Sequence, residues 1–433
     1  MRILCASDIH IGRRPFVLSS GITGATSAAA WNILVDFAVE SKVDVVAIAG
    51  DIIDRGNRYF EAIGLLENGL SRLATAGITT VAIAGNHDCE VLQRLVDTVS
   101  PKQFVFLGRG GKWESCIVES GNEAVRFVGW SFPTERPSFA PLTCFNMETD
   151  VDIPTVGLMH GDIDTPVSRY ATMARADLQR YPVNAWVLGH LHTPRRFGTD
   201  YGRSTFYCGS LQGLDPSESG ERGAWLLEIG SAKDDILTFV PLAPLRFETL
   251  NVDLTSVEND AEGMGFQQCI YGAIDAFVQS LSAAKGRPAT DVSLRIRLRG
   301  RTQVYKHMTT YRKRFDEEDQ SIIRGDATYH IEKLIDNTAP AIDLEDLARA
   351  SDPPGVLARL LIACETGVSD GPLPQLVRRA RPGVLSVHDH AKFQSLHESR
   401  TFNQPVNDEL ARDAIRKEAY RLLETLMDGR ANQ

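Results

Sequence analysis

No apolar run in this chain of 433 residues approaches the ~20 residues that a bilayer-spanning helix needs. Its seven cysteines (Cys5, Cys89, Cys116, Cys144, Cys208, Cys269 and Cys364) are scattered, and none forms a C-x-x-C pair. That spacing argues against a disulfide framework or a zinc knuckle and fits reduced, buried thiols. There is no G-x-x-x-x-G-K-[ST] loop, so any dependence on ATP has to come from a partner. Internal repeats and low-complexity tracts are absent too. The first residues, MRILCASDIH, run straight into a candidate metal motif. A cleavable leader would remove Asp8 and His10, so the expectation is a mature start and a cytoplasmic chain with no membrane association.

What is present is ordinary in bulk. Hydrophobic residues make up 43% and charged residues 24%, the balance of a globular protein. The length asks for more than one domain. A formal net charge of -10 argues against non-specific nucleic-acid binding, but the charge is unevenly spread. Residues 285–314 hold ten Lys or Arg and one acidic residue, Asp291.

Short apolar runs alternate with helical patterns through the first half. Residues 2–6, 43–49 and 79–84 read as strands, with helices over 28–41 and 59–76 between them. Further strands are expected at 104–107, 115–119, 125–130, 155–159, 185–188, 205–207 and 224–229. The fold class is therefore α/β, a layered core over residues 1–245. Pro241 and Pro244 punctuate its end. A small α/β unit is expected over 246–335, with a strand at 247–254, a helix near 261–284 and the alternating strand Ser293–Arg299. Residues 336–433 read as helical, interrupted by Pro353, Pro354, Pro372, Pro374 and Pro382.

Five segments carry the chemistry: Asp8-Ile9-His10, Gly50-Asp51-Ile52-Ile53-Asp54-Arg55, Gly85-Asn86-His87-Asp88, His160-Gly161-Asp162 and Gly189-His190-Leu191-His192. Each follows an apolar strand-like run, and the carboxyl ends of neighbouring strands converge on one crevice. Asp8 and His10, two apart, are expected on one side of an extended strand, as are His190 and His192. The first 250 residues contain five histidines, and every one lies in a motif. Two-metal phosphoester cleavage wants ions ~3.5–4 Å apart, clamping the attacking and leaving oxygens, and a shared carboxylate would hold that spacing. Asp, His and Asn are oxygen and nitrogen donors suited to manganese, iron, zinc or magnesium, and the lack of cysteine argues against a thiolate-zinc site.

These segments resemble the calcineurin-like metallophosphoesterase superfamily across the whole first domain. The resemblance implies that Asp8, His10 and His192 bind one metal, that Asn86, His160 and His190 bind the other, and that Asp51 bridges them. It places His87 over the phosphate, to protonate the leaving oxygen or stabilise the transition state, with water activated by the ions as nucleophile. In phosphatases of this superfamily the second Asp of G-D-x-x-D-R, here Asp54, resembles a partner for the motif histidine. Such a carboxylate would keep His87 protonated; the other reading of Asp54 is a cap on backbone N–H groups at a helix start. Arg55 touches either a phosphate or a neighbouring carboxylate.

Beyond the ligands, the layout is similar to SbcD and the Mre-type DNA repair nucleases. So are Phe206–Leu211 followed by Glu218 and Gly220–Gly223, and the strands around Phe247–Leu250 and Leu294–Arg301. That resemblance implies a DNA exonuclease or endonuclease with two divalent ions (manganese first; magnesium, iron or zinc otherwise). It also implies a dimer and an SbcC-like ABC-type ATPase whose coiled-coil base takes the C-terminal helices. In the basic strand, Leu294, Ile296 and Leu298 would face a core. Arg295, Arg297 and Arg299 would face outward with Arg301, Lys306, Arg312, Lys313 and Arg314, interleaved by Tyr305 and Tyr311. That is either a track for a phosphate backbone or a solvated strand face. The last helix is expected over 408–427, after Pro405 with Asn407 as cap, bearing an apolar stripe of Leu410, Ala414, Leu422, Leu423 and Leu426.

Two features depart from the pattern. The Mre-type nuclease carries a histidine where this chain has Asp54, and His388-Asp389-His390 matches no family motif. Gly50–Gly56 also resembles the motif of Ser/Thr protein phosphatases, and the same ligands serve small-nucleotide phosphodiesterases. A metal-free scaffold of the same fold is a further alternative.

Overall fold

A computed structural model describes the chain except residues 16–21, 55, 57–60, 100–102, 138, 148–152, 166, 167, 169, 201, 202, 231–235, 259–262, 282–286, 318–320, 368–370, 389–407, 432 and 433. Arg55, Asp389, His390, Pro405 and Asn407 thus lie outside the described residues.

The chain divides into two compact units. The first comprises residues 1–250, 276–295 and 319–333, and the second 251–275, 296–318 and 334–433. In chain order the first 241 residues form β1 (Arg2–Ala6), α1 (Ser27–Glu40), β2 (Val45–Ala49), α2 (Glu61–Thr75), β3 (Thr79–Ile83), α3 (Val91–Val99), β4 (Phe104–Phe106), β5 (Glu114–Ser120), β6 (Glu123–Gly129), β7 (Thr155–His160), α4 (Arg175–Arg180), β8 (Ala185–Gly189), β9 (Arg195–Asp200), β10 (Arg203–Tyr207), β11 (Gly223–Glu228) and β12 (Ile236–Pro241).

These strands make two six-stranded sheets, ordered β12-β11-β1-β2-β3-β4 and β5-β6-β7-β8-β10-β9. β1 to β4 are parallel, as are β6, β7, β8 and β10, while β11, β12, β5 and β9 pair antiparallel at the edges. Strands buried on both faces explain the unbroken apolar runs of the sequence. Ile3, Cys5, Val45, Ala47, Val81 and Ile83 lie between the sheets with Phe127, Leu158, Val187 and Phe206. Their neighbours Leu4, Ala6, Val46 and Ile48 turn the other way, against Ala30, Trp31, Leu34 and Val35 of α1. α1 opens where the Thr26 side chain accepts the Ala29 N–H at 3.1 Å. α2 packs close to it because Gly69 has no side chain, since a Cβ there would meet Trp31 Nε1 at 2.3 Å. Trp31 Nε1 donates to the Leu65 carbonyl at 3.1 Å.

Beyond Pro241 come β13 (Leu245–Asp253), α5 (Met264–Ser280), β14 (Asp291–Thr302), α6 (Met308–Glu317), β15 (Ser321–Arg324), β16 (Ala327–Pro340), α7 (Leu344–Leu347), α8 (Pro353–Thr366), α9 (Leu373–His388) and α10 (Asp408–Ala431). A third sheet has the order β13-β14-β16-β15. In the second unit, Leu344, Ala358 and Leu361 pack on Ala419, Tyr420 and Leu423 of α10. Among the described residues, no helix is long and apolar enough to cross a membrane.

Several expectations need correction. β16 runs to Pro340, so the helical region starts later than residue 336. Pro382 lies inside α9, whereas Pro353 and Pro354 open α8 rather than break a helix. On α10 the apolar stripe does not pack as a unit. Leu423 is buried, but Leu410, Leu422 and Leu426 are exposed, and the inward face is Ala411, Ala419, Tyr420 and Leu423. Tyr311 is no surface aromatic; it is buried beside Phe266.

Candidate metal centre

The two sheets stop in register where the motifs begin. Ala6 of β1 pairs with Ile48 of β2, Ala49 with Ile83 of β3, and His160 of β7 with Gly189 of β8. Five strand ends therefore deliver their next residues to one place. The delivery is not by extended strand, as the i, i+2 spacing suggested. β1 ends at Ala6 and β8 at Gly189, and the backbone then turns left-handed at Asp8 (φ 48°), His10 (φ 49°), Asp51 (φ 52°) and His190 (φ 100°). Side-chained residues avoid this region, and their concentration here marks strain held at a functional site. Gly50 (φ 87°) is required by its surroundings as well, because a Cβ would lie 2.7 Å from His160 Nδ1.

The predicted ligands gather in two groups. In the first, His10 Nε2 lies 3.3 Å from His192 Nε2, which lies 3.9 Å from Asp8 Oδ1. In the second, Asn86 Oδ1 lies 3.1 Å from His160 Nε2 and 3.2 Å from His190 Nδ1. Asp51 Oδ2 stands between them, 3.3 Å from His160 Nε2 and 4.0 Å from His10 Nε2. The Asp8 carboxylate accepts the His190 N–H at 3.0 Å and the Ser7 hydroxyl, which ties the end of one sheet to the other.

Each of the four candidate ligand histidines turns one ring nitrogen outward to an oxygen. His160 Nδ1 donates to the Ala49 carbonyl at 2.9 Å, and His192 Nδ1 to Glu218 Oε1 at 2.6 Å. His190 Nε2 faces Asp162 Oδ1 at 3.5 Å, and His10 Nδ1 faces Asp54 Oδ1 at 3.5 Å. Protons held on the outer nitrogens leave the inner ones with lone pairs. Electron-rich nitrogens and oxygens then face each other at close range, an arrangement that calls for cations between them. The residues fit two divalent ions on this ground.

His87 sits at the mouth, its side chain 32% exposed, with its N–H bound to Asp51 Oδ1 at 2.8 Å. Its Nδ1 is 3.4 Å from Asp54 Oδ1, the oxygen that also faces His10. Both contacts are electrostatic rather than aligned hydrogen bonds. The other Asp54 oxygen accepts the Gly56 N–H at 2.9 Å, so this carboxylate serves a turn and two imidazoles at once.

Charge follows from these contacts. Burial would raise the Asp51 carboxyl, but His160, His10 and His87 hold it below the usual carboxylate range. Asp54 is likewise pushed up by burial and pulled down further by His10 and His87. Burial lowers His160, yet Asp51 raises it to about 9. Burial, then repulsion from His160, brings His190 down to about 4. His87 is lowered by burial and raised by Asp54 and Asp51, with a net rise.

Three supporting carboxylates were not assigned from sequence. Asp88 is fully buried; its oxygens accept Ile52 N–H at 2.6 Å and Gly85 N–H at 2.8 Å, pinning the Asp51 and Asn86 loops together. Burial and the nearby Asp51 charge push it up to about 7. Asp162, of the His160-Gly161-Asp162 segment, faces His190. Glu218 stands in a segment that carries the family resemblance, but a lone acid in a loop gives no chemical signal. Burial raises its carboxyl, but His192 holds it down to about 2.

The predicted basic residues divide. Arg295 pairs with Glu332, Arg301 with Glu365 at 2.8 Å, and Arg312 donates to the Leu334 carbonyl at 3.1 Å. Arg297, Arg299, Lys313 and Arg314 are exposed.

Residues 1–194 match the family model described as calcineurin-like phosphoesterase. They are a calcineurin-like phosphoesterase domain. The metallophosphoesterase fold binds two divalent metals, in keeping with the Asp and His clusters here. The chain is 24% identical over 263 residues to the uncharacterized metallophosphoesterase YhaO of Bacillus subtilis, covering 59% of this chain and 63% of that one. It is 24% identical over 238 residues to the DNA double-strand break repair protein Mre11 of Methanopyrus kandleri, covering 52% of each. The chain thus spans between about half and two thirds of the length of these two relatives, 52% and 63%. Among solved structures it is similar to a dimetal phosphatase from Danio rerio, at 13% identity over 55% of this chain and 98% of that one, TM-score 0.36.

Proposed function

We propose that this phosphoesterase is a two-metal DNA nuclease, SbcD-like, acting with an SbcC-like ATPase. The observation that carries the hydrolytic chemistry is the placing of Asp51 between two sets of inward-facing donors. Similarity to Mre11 proteins of DNA double-strand break repair favours DNA as the substrate. Asp8, His10 and His192 would hold one ion and Asn86, His160 and His190 the other, with Asp51 shared. Two divalent ions there supply Lewis acidity towards the phosphodiester and lower the pKa of water. The donor set suits manganese. His87, with Nδ1 turned to Asp54, offers its other nitrogen as proton donor to the leaving oxygen. Arg297 and Arg299, within residues 246–335, would contact the DNA backbone. The exposed Leu410, Leu422 and Leu426 of α10 would meet the ATPase.

The test is hydrolysis of linear single- and double-stranded DNA with manganese, beside an Asp51→Ala control and bis-p-nitrophenyl phosphate. DNA degradation that the control lacks supports the reading. Cleavage of the small ester alone, with and without an SbcC-like ATPase added, moves the substrate to a small nucleotide or phosphoprotein.

A further inference from the structure

Glu218 lies beyond residue 194, outside the segment that matches the phosphoesterase family. It sits in the connection between β10 and β11, with its side chain 12% exposed. One carboxylate oxygen accepts the His192 Nδ1–H at 2.6 Å, and the other accepts the Leu214 N–H at 2.9 Å. The same connection grips His192 a second time, because Ser210 N–H donates to the His192 carbonyl at 2.9 Å. With its proton on Nδ1, His192 keeps the lone pair on Nε2, the atom that faces His10 and Asp8.

The far side of the connection is anchored to β13. The buried Gln212 amide accepts the Leu245 N–H at 3.2 Å and donates to the Leu245 carbonyl at 2.9 Å. Gly220 N–H donates to the Phe247 carbonyl at 2.9 Å, and the Phe247 ring lies against Gly213. Both groups of contacts belong to the first compact unit. A short stretch of chain is thus clamped between a candidate ligand and the strand that leaves the core.

We propose that Glu218 is the positioning residue of the first pocket, fixing the tautomer and ring orientation of His192, and that β13 holds Glu218 in place through Gln212. The inference rests on the two-metal reading above. The other donors of that pocket take their outer contacts from elsewhere: Asp8 from the His190 N–H and His10 from Asp54. Loss of Glu218 therefore frees one ligand of the pocket and leaves the other pocket, built from Asn86, His160 and His190, untouched. Outer partners of this kind contribute about 10–100-fold to metal affinity.

The experiment is titration of the full chain with manganese and with cobalt, reading stoichiometry, the two affinities and the visible cobalt spectrum. Glu218→Ala is expected to weaken one site about 10–100-fold and alter its cobalt bands while the second site is unchanged. Glu218→Gln, whose amide oxygen still accepts from Nδ1, is expected to recover part of the loss. Gln212→Ala, which touches no ligand, is expected to weaken the same site by less. A Glu218→Ala chain with wild-type affinities and spectrum, or one that loses both sites equally together with thermal stability, overturns the positioning role. An unchanged Gln212→Ala chain overturns the part given to β13. A wild-type chain that takes up neither ion removes the two-metal reading itself, a result distinct from all of these.

Discussion

Asp51 Oδ2 lies 3.3 Å from His160 Nε2, while the other oxygen of the same carboxylate binds the His87 N–H. One side chain thus faces a candidate ligand of the second pocket and fixes the residue at the mouth. Asp51→Ala is expected to lose high-affinity binding of both ions and to bring hydrolysis of bis-p-nitrophenyl phosphate to background. Elemental analysis of the purified variant beside the wild type checks it, and two ions retained at wild-type affinity would refute the shared-carboxylate role.

The His87 backbone N–H binds Asp51, its Nδ1 faces Asp54, and its ring lies edge-on to His10 at 4.9 Å between centroids. His87→Ala should keep both ions and lower turnover on DNA by about 10²–10⁴-fold, the usual contribution of a general acid. The loss should be smaller on p-nitrophenyl esters, whose leaving group needs no proton. Equal losses on both substrates would point to electrostatic stabilisation instead.

Asp88 holds the backbone of two ligand loops from a fully buried position. Asp88→Ala strands the Ile52 and Gly85 N–H groups without acceptors, at roughly 1–3 kcal/mol for each buried donor. Urea denaturation should show that loss together with weaker metal binding. Stability at the wild-type level would mean that water replaces the carboxylate.

Arg297 and Arg299 are exposed on β14, whereas Arg295 and Arg301 are committed to carboxylates. Arg297→Ala and Arg299→Ala are each expected to flatten the salt dependence of duplex binding, by about 0.9 in log K against log salt per lost phosphate contact. Hydrolysis of the small ester should not change. Identical salt slopes in the variants would take these arginines off the DNA path.

The candidate ligand motifs are legible because the residue types suited to metal binding stand out in sequence. Histidine, aspartate and asparagine recur directly after apolar runs, and buried parallel strands leave such runs in sequence. The way they converge was not legible. Alternation along a strand placed Asp8 and His10 on one side, but four left-handed residues deliver the ligands instead, and nothing in a dipeptide announces a positive φ at Asp or His. Edge strands such as β9, with the sequence RRFGTD, lack apolar periodicity, because an edge needs little burial. The burial of Tyr311 follows from spacing: Met308, Tyr311 and Phe315 repeat at helical intervals and are all buried, while Lys313 and Arg314 between them are exposed. Asp88 and Glu218 act through backbone and loop geometry that only the assembled sheets define.

β1, the strand that leads to Asp8, is flanked by β2 on one side and by β11 on the other. Its second neighbour is some two hundred residues downstream, at Gly223–Glu228. At roughly 5–20 residues per second on a ribosome, Asp8 and His10 wait on the order of ten seconds or more before that strand, and Glu218 just before it, have been synthesised. Closure of the sheet around the candidate ligands of β1 is thus a late event in the birth of this domain. An ion offered to a half-made chain meets aspartates and histidines but no completed cage.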